Sequence, residues 1–321
     1  MNRRILLASA VLLGAQALAA GCKPAPPPAP VGLDESARYM IREFYRDDAF
    51  FGAGLQGFMT WYGEEGYLLV GEQATTENTD SFTVSDLEPG DIEHLALADL
   101  VPVRNVADAA GVVSLAEMDC SWKESEALLM RVDQDVVFED NWEAYSREFQ
   151  TSRAIYTEAT ASEEFVEIDV DLERFTEGFD MVPYESSVLL TRNFPDPASL
   201  LGINIPAYEM FLDFRHGIYD IDGTPTPVLT ILTFTVDASF GESGENGLRQ
   251  SFSIELNVAQ ENGKTLRMLA VWAEPVSDIA DPDDAFVLNY AVNTSLRASE
   301  RMTEVCTGAV TVPPESDAAA R

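Results

Sequence analysis

The chain has 321 residues, of which 20 are basic and 55 acidic, giving a net charge of −35, with 46% hydrophobic and 10% aromatic content. That apolar fraction belongs to a folded domain and excludes a disordered chain. The charge opposes binding to nucleic acid and to anionic membrane surfaces, because a phosphate is repelled before contacts form. With lysine only at 23, 123 and 264, it fits solubility in a salty medium, where screening shortens repulsion.

Arg3 and Arg4 precede an apolar stretch, Ile5 to Leu13 and Ala15 to Ala20, closed by Ala19-Ala20-Gly21-Cys22. A spanning helix needs about 20 uninterrupted apolar residues, and Gln16 and the glycines interrupt this one. The pattern resembles the lipobox of bacterial lipoproteins. The resemblance covers 22 residues and implies that residues 1–21 are a removed signal peptide and that Cys22 carries the acyl chains (palmitate among them) that tether the rest to a membrane. The mature chain then holds 18 basic and 55 acidic residues, net −37. Lys23 stands where Asp would retain such a protein at the inner membrane, so the expected place is the outer membrane, with the domain in the periplasm or at the cell surface. Prolines at 24, 26, 27, 28 and 30 make residues 22–32 an extended stalk. Cys120 and Cys306 remain, and an oxidising compartment favours a disulfide between them.

Residues 33–312 read as one α+β domain, helix-rich over 33–160 and sheet plus final helix over 161–312. Asp34 is an N-cap candidate for a helix to about Asp48, with Ala37, Met40, Ile41 and Phe44 on one face. Gly52 and Gly54 break it, and a second short helix follows from Leu55 to Gly63. Glu72 to Asp99 reads as irregular. Ser121 to Glu124 has capping-box spacing and predicts a helix ending near Arg131. Trp142 to Tyr156 fits a helix or a strand equally.

From Phe165 the pattern is that of an antiparallel β-meander of five or six strands. Phe252, Ile254, Leu256 and Val258 alternate with Ser251, Ser253, Glu255 and Asn257, predicting one apolar and one wet face. Asn262-Gly263 suits a two-residue hairpin turn with both φ positive, and Leu266, Met268, Ala270 and Trp272 resume the alternation. Tyr208, Met210, Leu212, Phe214 and His216 share a face, Asp222-Gly223 marks a turn, and Val228 to Val236 is apolar on both faces, as in a central strand. Asp284 caps a long amphipathic C-terminal helix with Leu288, Val292, Leu296, Met302 and Cys306 on one stripe, stopped by Gly308 and packed on the sheet. Residues 313–321 form a tail.

HExxH, CxxC, GxSxG, P-loop and GxGxxG motifs are all missing from the sequence, so no catalytic site, metal site or cofactor is expected. His216 lies on an apolar strand face and His94 in a loop. Asp281, Asp283 and Asp284, and Asp220 with Asp222, are acidic runs better explained by a cap and a turn than by calcium. The order of elements resembles that of helix-grip, lipid-carrying domains, which implies a cavity lined by Tyr208, Phe214, His216 and Trp272. The leading expectation is a non-enzymatic envelope lipoprotein that contacts membrane through its anchor and other envelope proteins through its surface. The alternative is a carrier of an apolar ligand or lipid. A third is an enzyme using carboxylates such as Glu163 and Glu164 or Glu167 and Asp169.

Overall fold

The computed structural model describes residues 28–30, 32–44, 48–93, 95, 104–138, 142–149, 185–195, 206–240, 246–276 and 284–315. Cys22, His94, Glu163, Glu164, Glu167, Asp169, Asp281 and Asp283 lie outside them, as does the tail after 315.

Helices α1 (Leu33–Glu43) and α2 (Asp48–Glu64) open the domain. Asp34 sits in the first turn of α1 rather than at its cap, which is Gly32 at φ 117° with no side-chain cap. The carboxylate there faces the positive end of the helix dipole. Gly52 and Gly54 do not interrupt α2, which runs 17 residues through them. Gly54 instead permits close packing, since a Cβ there would stand 2.9 Å from the Tyr39 ring on α1, so helix propensity yields to contact between the two helices.

Among the described residues nine strands form one antiparallel sheet: β1 (Thr83–Val84), β2 (Ala110–Met118), β3 (Trp142–Phe149), β4 (Glu185–Pro195), β5 (Tyr208–Ile221), β6 (Thr224–Thr235), β7 (Ser239–Phe240), β8 (Gly247–Ala259) and β9 (Thr265–Val276). This exceeds the five or six expected. The spatial order is β1-β2-β9-β8-β6-β5-β4-β3, with β7 beside β8. The expected meander is therefore present from β4 to β9, but two further strands come from the part read as helix-rich: β3 pairs with β4 and β2 closes against β9. Trp142 to Phe149 resolves as strand.

The two-residue turn with both φ positive is Asp222-Gly223 (51° and 83°) between β5 and β6. At Asn262-Gly263 only Gly263 is positive, at 82°. There Gly263 N bonds Gln260 O and Gln260 N bonds Lys264 O, making a longer loop.

Both faces of the sheet are covered. On one, Val228, Leu232 and Phe234 of β6, Phe252, Ile254, Leu256 and Val258 of β8, and Leu266, Met268, Ala270 and Trp272 of β9 pack against α1 and α2 in the main core. On the other lie α3 (Trp122–Leu129) and α4 (Ala285–Cys306). The expected capping box starts α3: Ser121 Oγ accepts from Glu124 N, and Glu124 Oε2 accepts from Ser121 N at 2.8 Å. Asp284 caps α4, its Oδ1 accepting from Phe286 N at 2.8 Å. The α4 amide Asn293 bonds both Ala74 N and Ala74 O at 3.0 Å, tying the N-terminal loop over the β2 edge to this helix.

A covered polar sheet face

Residues directly opposite in an antiparallel sheet share a face, so the strand pairing places the helix-covered face row by row. One row runs His216, Leu229, Asn257, Arg267 and Ala116; the next runs Phe214, Ile231, Glu255, Leu269 and Ser114. Further along the same strands come Thr233 and Ser253, then Tyr145, Asn193 and Tyr208. Ser251, Ser253, Glu255 and Asn257 are all buried, which corrects the expected wet face. Strand periodicity separates two faces, and here helices cover the polar one.

Burial away from bulk solvent favours bonds among these groups. Arg267 grips Glu255 with two parallel bonds, Nε to Oε1 at 2.8 Å and Nη2 to Oε2 at 2.9 Å. Its Nη1 donates to Ser299 Oγ on α4 at 2.8 Å, and Asn257 Nδ2 donates to Glu255 Oε1 at 3.0 Å. Ser114 and Ser295 hydroxyls meet at 2.6 Å. The buried stripe of α4 thus mixes Val292, Leu296 and Met302 with Asn289 and Ser299. Arg147 of β3 reaches the carbonyls of Leu129 and Arg131 at the end of α3, where a cation meets the negative end of the helix, and lies 5.9 Å from the Phe214 ring. Among the described residues, the buried polar atoms on this side without a hydrogen-bond partner include Ser125 Oγ of α3, Arg147 Nε of β3 and Asn257 Oδ1 of β8.

Of the four candidate binding residues, Tyr208, Phe214 and His216 share this face, as their spacing predicts. Trp272 does not join them. It lies fully buried on the opposite face, its Nε1 donating to Ser85 O at 2.9 Å, because β9 presents alternate residues to opposite sides and Arg267 occupies the helix-covered one. Burial raises the Tyr208 phenol pKa, with Tyr145 adding to it. Cys120 and Cys306 are bonded, linking the start of α3 to the end of α4.

His216 Nε2 lies 2.5 Å from Glu126 Oε1 of α3, with the Trp122 ring edge-on at 6.3 Å. Burial lowers the His216 pKa to about 4, so the imidazole is neutral at pH 7. The unfolded chain takes up that proton near pH 6.5 while the folded chain resists until about 4. The contribution is complete above pH 6.5 and is lost as pH falls through that window, by about 3 kcal/mol. Urea titrations at pH 7 and pH 4.5 are expected to show this loss, and His216→Gln to flatten it. An unchanged slope in the variant assigns the acid sensitivity to other groups.

Ser125 and His216 belong to one side of the sheet, yet Ser125 Oγ makes no hydrogen bond, whereas a serine nucleophile needs its base in bonding reach. Among the described residues no three His, Cys, Asp or Glu side chains gather around a metal position. Asp220 Oδ1 accepts from Gly223 N at 2.7 Å and Asp222 Oδ1 from Gln56 Nε2 at 3.0 Å, which accounts for that run as turn chemistry. What the face offers is a buried surface on which hydroxyls and amides (Thr191, Asn193, Thr233, Thr235) adjoin apolar side chains (Leu189, Phe214, Leu229, Ile231). Alternation along β5 made half of it visible in sequence; Ser125, Glu126 and Arg147 carried no signal, because they arrive from other elements.

No family model matches the chain, and no curated protein does. A solved structure, the STAR-related lipid transfer protein (fragment 25–204) from Xanthomonas axonopodis, is similar with 7% identity and a TM-score of 0.33, over 63% of this chain and 86% of that one. A similarity of that size carries no functional argument.

Proposed function

We propose that this protein is an envelope-tethered carrier of an amphipathic small molecule, held on the sheet face beneath α3 and α4. The observation that carries this reading is the mixed chemistry of that face, where apolar Phe214, Leu229 and Ile231 adjoin buried hydroxyls and where Ser125 Oγ and Asn257 Oδ1 have no protein partner. Buried polar atoms are nearly always bonded, so two unmet ones on one face are capacity for a polar ligand group. The topology supports it: an antiparallel run of strands followed by a long final helix packed on the sheet is the helix-grip order of elements. The ligand's apolar part would lie along Phe214 and Ile231 and its polar end toward the Thr, Asn and Ser positions.

In the same reading Cys22 is acylated and the chain is held at the outer membrane. Among the described residues no helix is long and apolar enough to cross a membrane, and the lipobox resemblance supplies the anchor instead. One experiment addresses both claims. Native mass spectrometry of the protein taken from membranes is expected to show cleavage before Cys22 with added acyl mass, and a bound species of a few hundred daltons released on denaturation, as suits a typical binding site. Ile231→Trp, which fills the face, is expected to lower its occupancy. Apoprotein alone, together with no mass shift from added long-chain amphiphiles, overturns the carrier. A surface-interaction role is favoured by a separate feature, a groove near the stalk.

A further inference from the structure

A groove of about 910 Å³ opens where the stalk joins the domain, between the start of α1, the end of α2 and the edge strand β1. Its apolar surface comes from Leu33, Trp61, Leu69 and Val84, with Leu68, 64% exposed, at the rim. Four carboxylates stand around it, Asp34, Glu35, Glu65 and Asp80, and among the described residues no basic one lines it. The nearest arginines on α1 are turned to other partners: Arg38 to Glu88 and Asp91, Arg42 to Glu43 and Asp91. Among the described residues none of the four carboxylates has an ion-pair partner, unlike Asp91, which holds two arginines. Asp34 alone has a side-chain contact, Ser85 Oγ at 3.5 Å.

β1 gives the groove a direction. It ends the sheet order with β2 on one side and no described strand on the other, and Thr83, Val84 and Ser85 line the groove. An edge strand presents unpaired backbone N–H and C=O groups, here on the short stretch at Thr83 since Ser85 O already accepts from Trp272 Nε1, and an extended chain can take them up by adding a strand. Side chains of that added strand alternate, so one set meets the carboxylates and the other the Trp61 and Leu69 surface, where a cation over an aromatic ring adds attraction.

We infer that this groove binds an extended segment of a partner protein in which basic and apolar residues alternate. Charge complementarity selects the basic set, the apolar floor selects the other, and the edge strand selects a peptide over a compact ligand. This surface is separate from the face beneath α3 and α4, so failure of the carrier reading leaves it untouched.

The test is fluorescence anisotropy with a labelled hexapeptide alternating Lys and Leu, using the full mature chain in detergent at about 0.15 M salt, where long-range attraction to net charge is damped. Glu65→Gln with Asp80→Asn is expected to weaken binding about tenfold, as two exposed ion pairs would. Glu261→Gln with Glu300→Gln, the same charge change at exposed positions outside the groove, is expected to leave it within about twofold. Melting curves of both pairs are expected to match the parent, since all four side chains are exposed. Equal weakening by both pairs overturns the site, because net charge alone then explains binding. So does equal affinity for a Lys-Gly peptide, or no binding at all. Displacement by dodecyltrimethylammonium at the peptide's own concentration overturns the peptide class in favour of a small cationic amphiphile.

Discussion

Arg267→Met is expected to destabilise the fold by about 3–5 kcal/mol, the cost of leaving a buried charge without its partner. For a domain of this size that lowers the melting temperature by on the order of 10 °C. Met keeps most of the apolar stem, so the loss reads the charge rather than a cavity. The substitution strands the Glu255 carboxylate, which retains only the Asn257 amide as a donor, and removes the bond that ties β9 to Ser299 of α4. Adding Glu255→Leu removes the stranded charge, and the double variant is expected to regain most of the stability, because exchanging a whole buried pair for apolar groups is often neutral. Urea unfolding of the two single variants and the double variant measures this. An Arg267→Met protein within about 1 kcal/mol of the parent would mean that water solvates the pair, and the face beneath α4 would then be wet.

That ion pair also shows where reading the sequence stops. The alternation from Ser251 to Val258 correctly gives a strand, since period two is a local property of the chain. It cannot say what lies on the polar side, and the answer comes from Trp122 to Leu129 and Ala285 to Cys306, more than a hundred residues before and a few dozen after. Local devices were legible for the same reason in reverse: the Ser121–Glu124 box and the Asp284 cap close within three residues. The glycines of α2 misled because Gly52 and Gly54 answer to the rings of Tyr219 and Tyr39 rather than to the helix. β2 escaped because Gly111 interrupts its apolar run, being small where the Trp272 ring passes over it. For the candidate site, Phe214 and His216 were placed on one face by spacing, whereas Trp272, equally aromatic and equally periodic, needed the register of β9 against β8 to assign its side.

Cys120→Ala with Cys306→Ala is expected to cost about 5 kcal/mol if the constraint on the unfolded chain dominates, since the bond spans 186 residues and loop-closure entropy grows with the logarithm of that number. The bond joins Cys120, immediately before the α3 cap Ser121, to Cys306, the last residue of α4, so the closed loop contains every strand from β3 to β9. Both helices that roof the polar face therefore depend on one covalent link. Each single variant is expected to lose about as much as the double, because either substitution opens the same loop; two independent buried thiols would instead give losses that add. A thiol assay on denatured, unreduced mature protein is expected to find Cys120 and Cys306 unreactive and to recover two thiols after reduction. Should the double variant unfold within about 1 kcal/mol of the parent, the unfolded chain must already hold α3 near α4 without the bond, and the clasp would then lie in the packing of Leu129, Met130 and Met302.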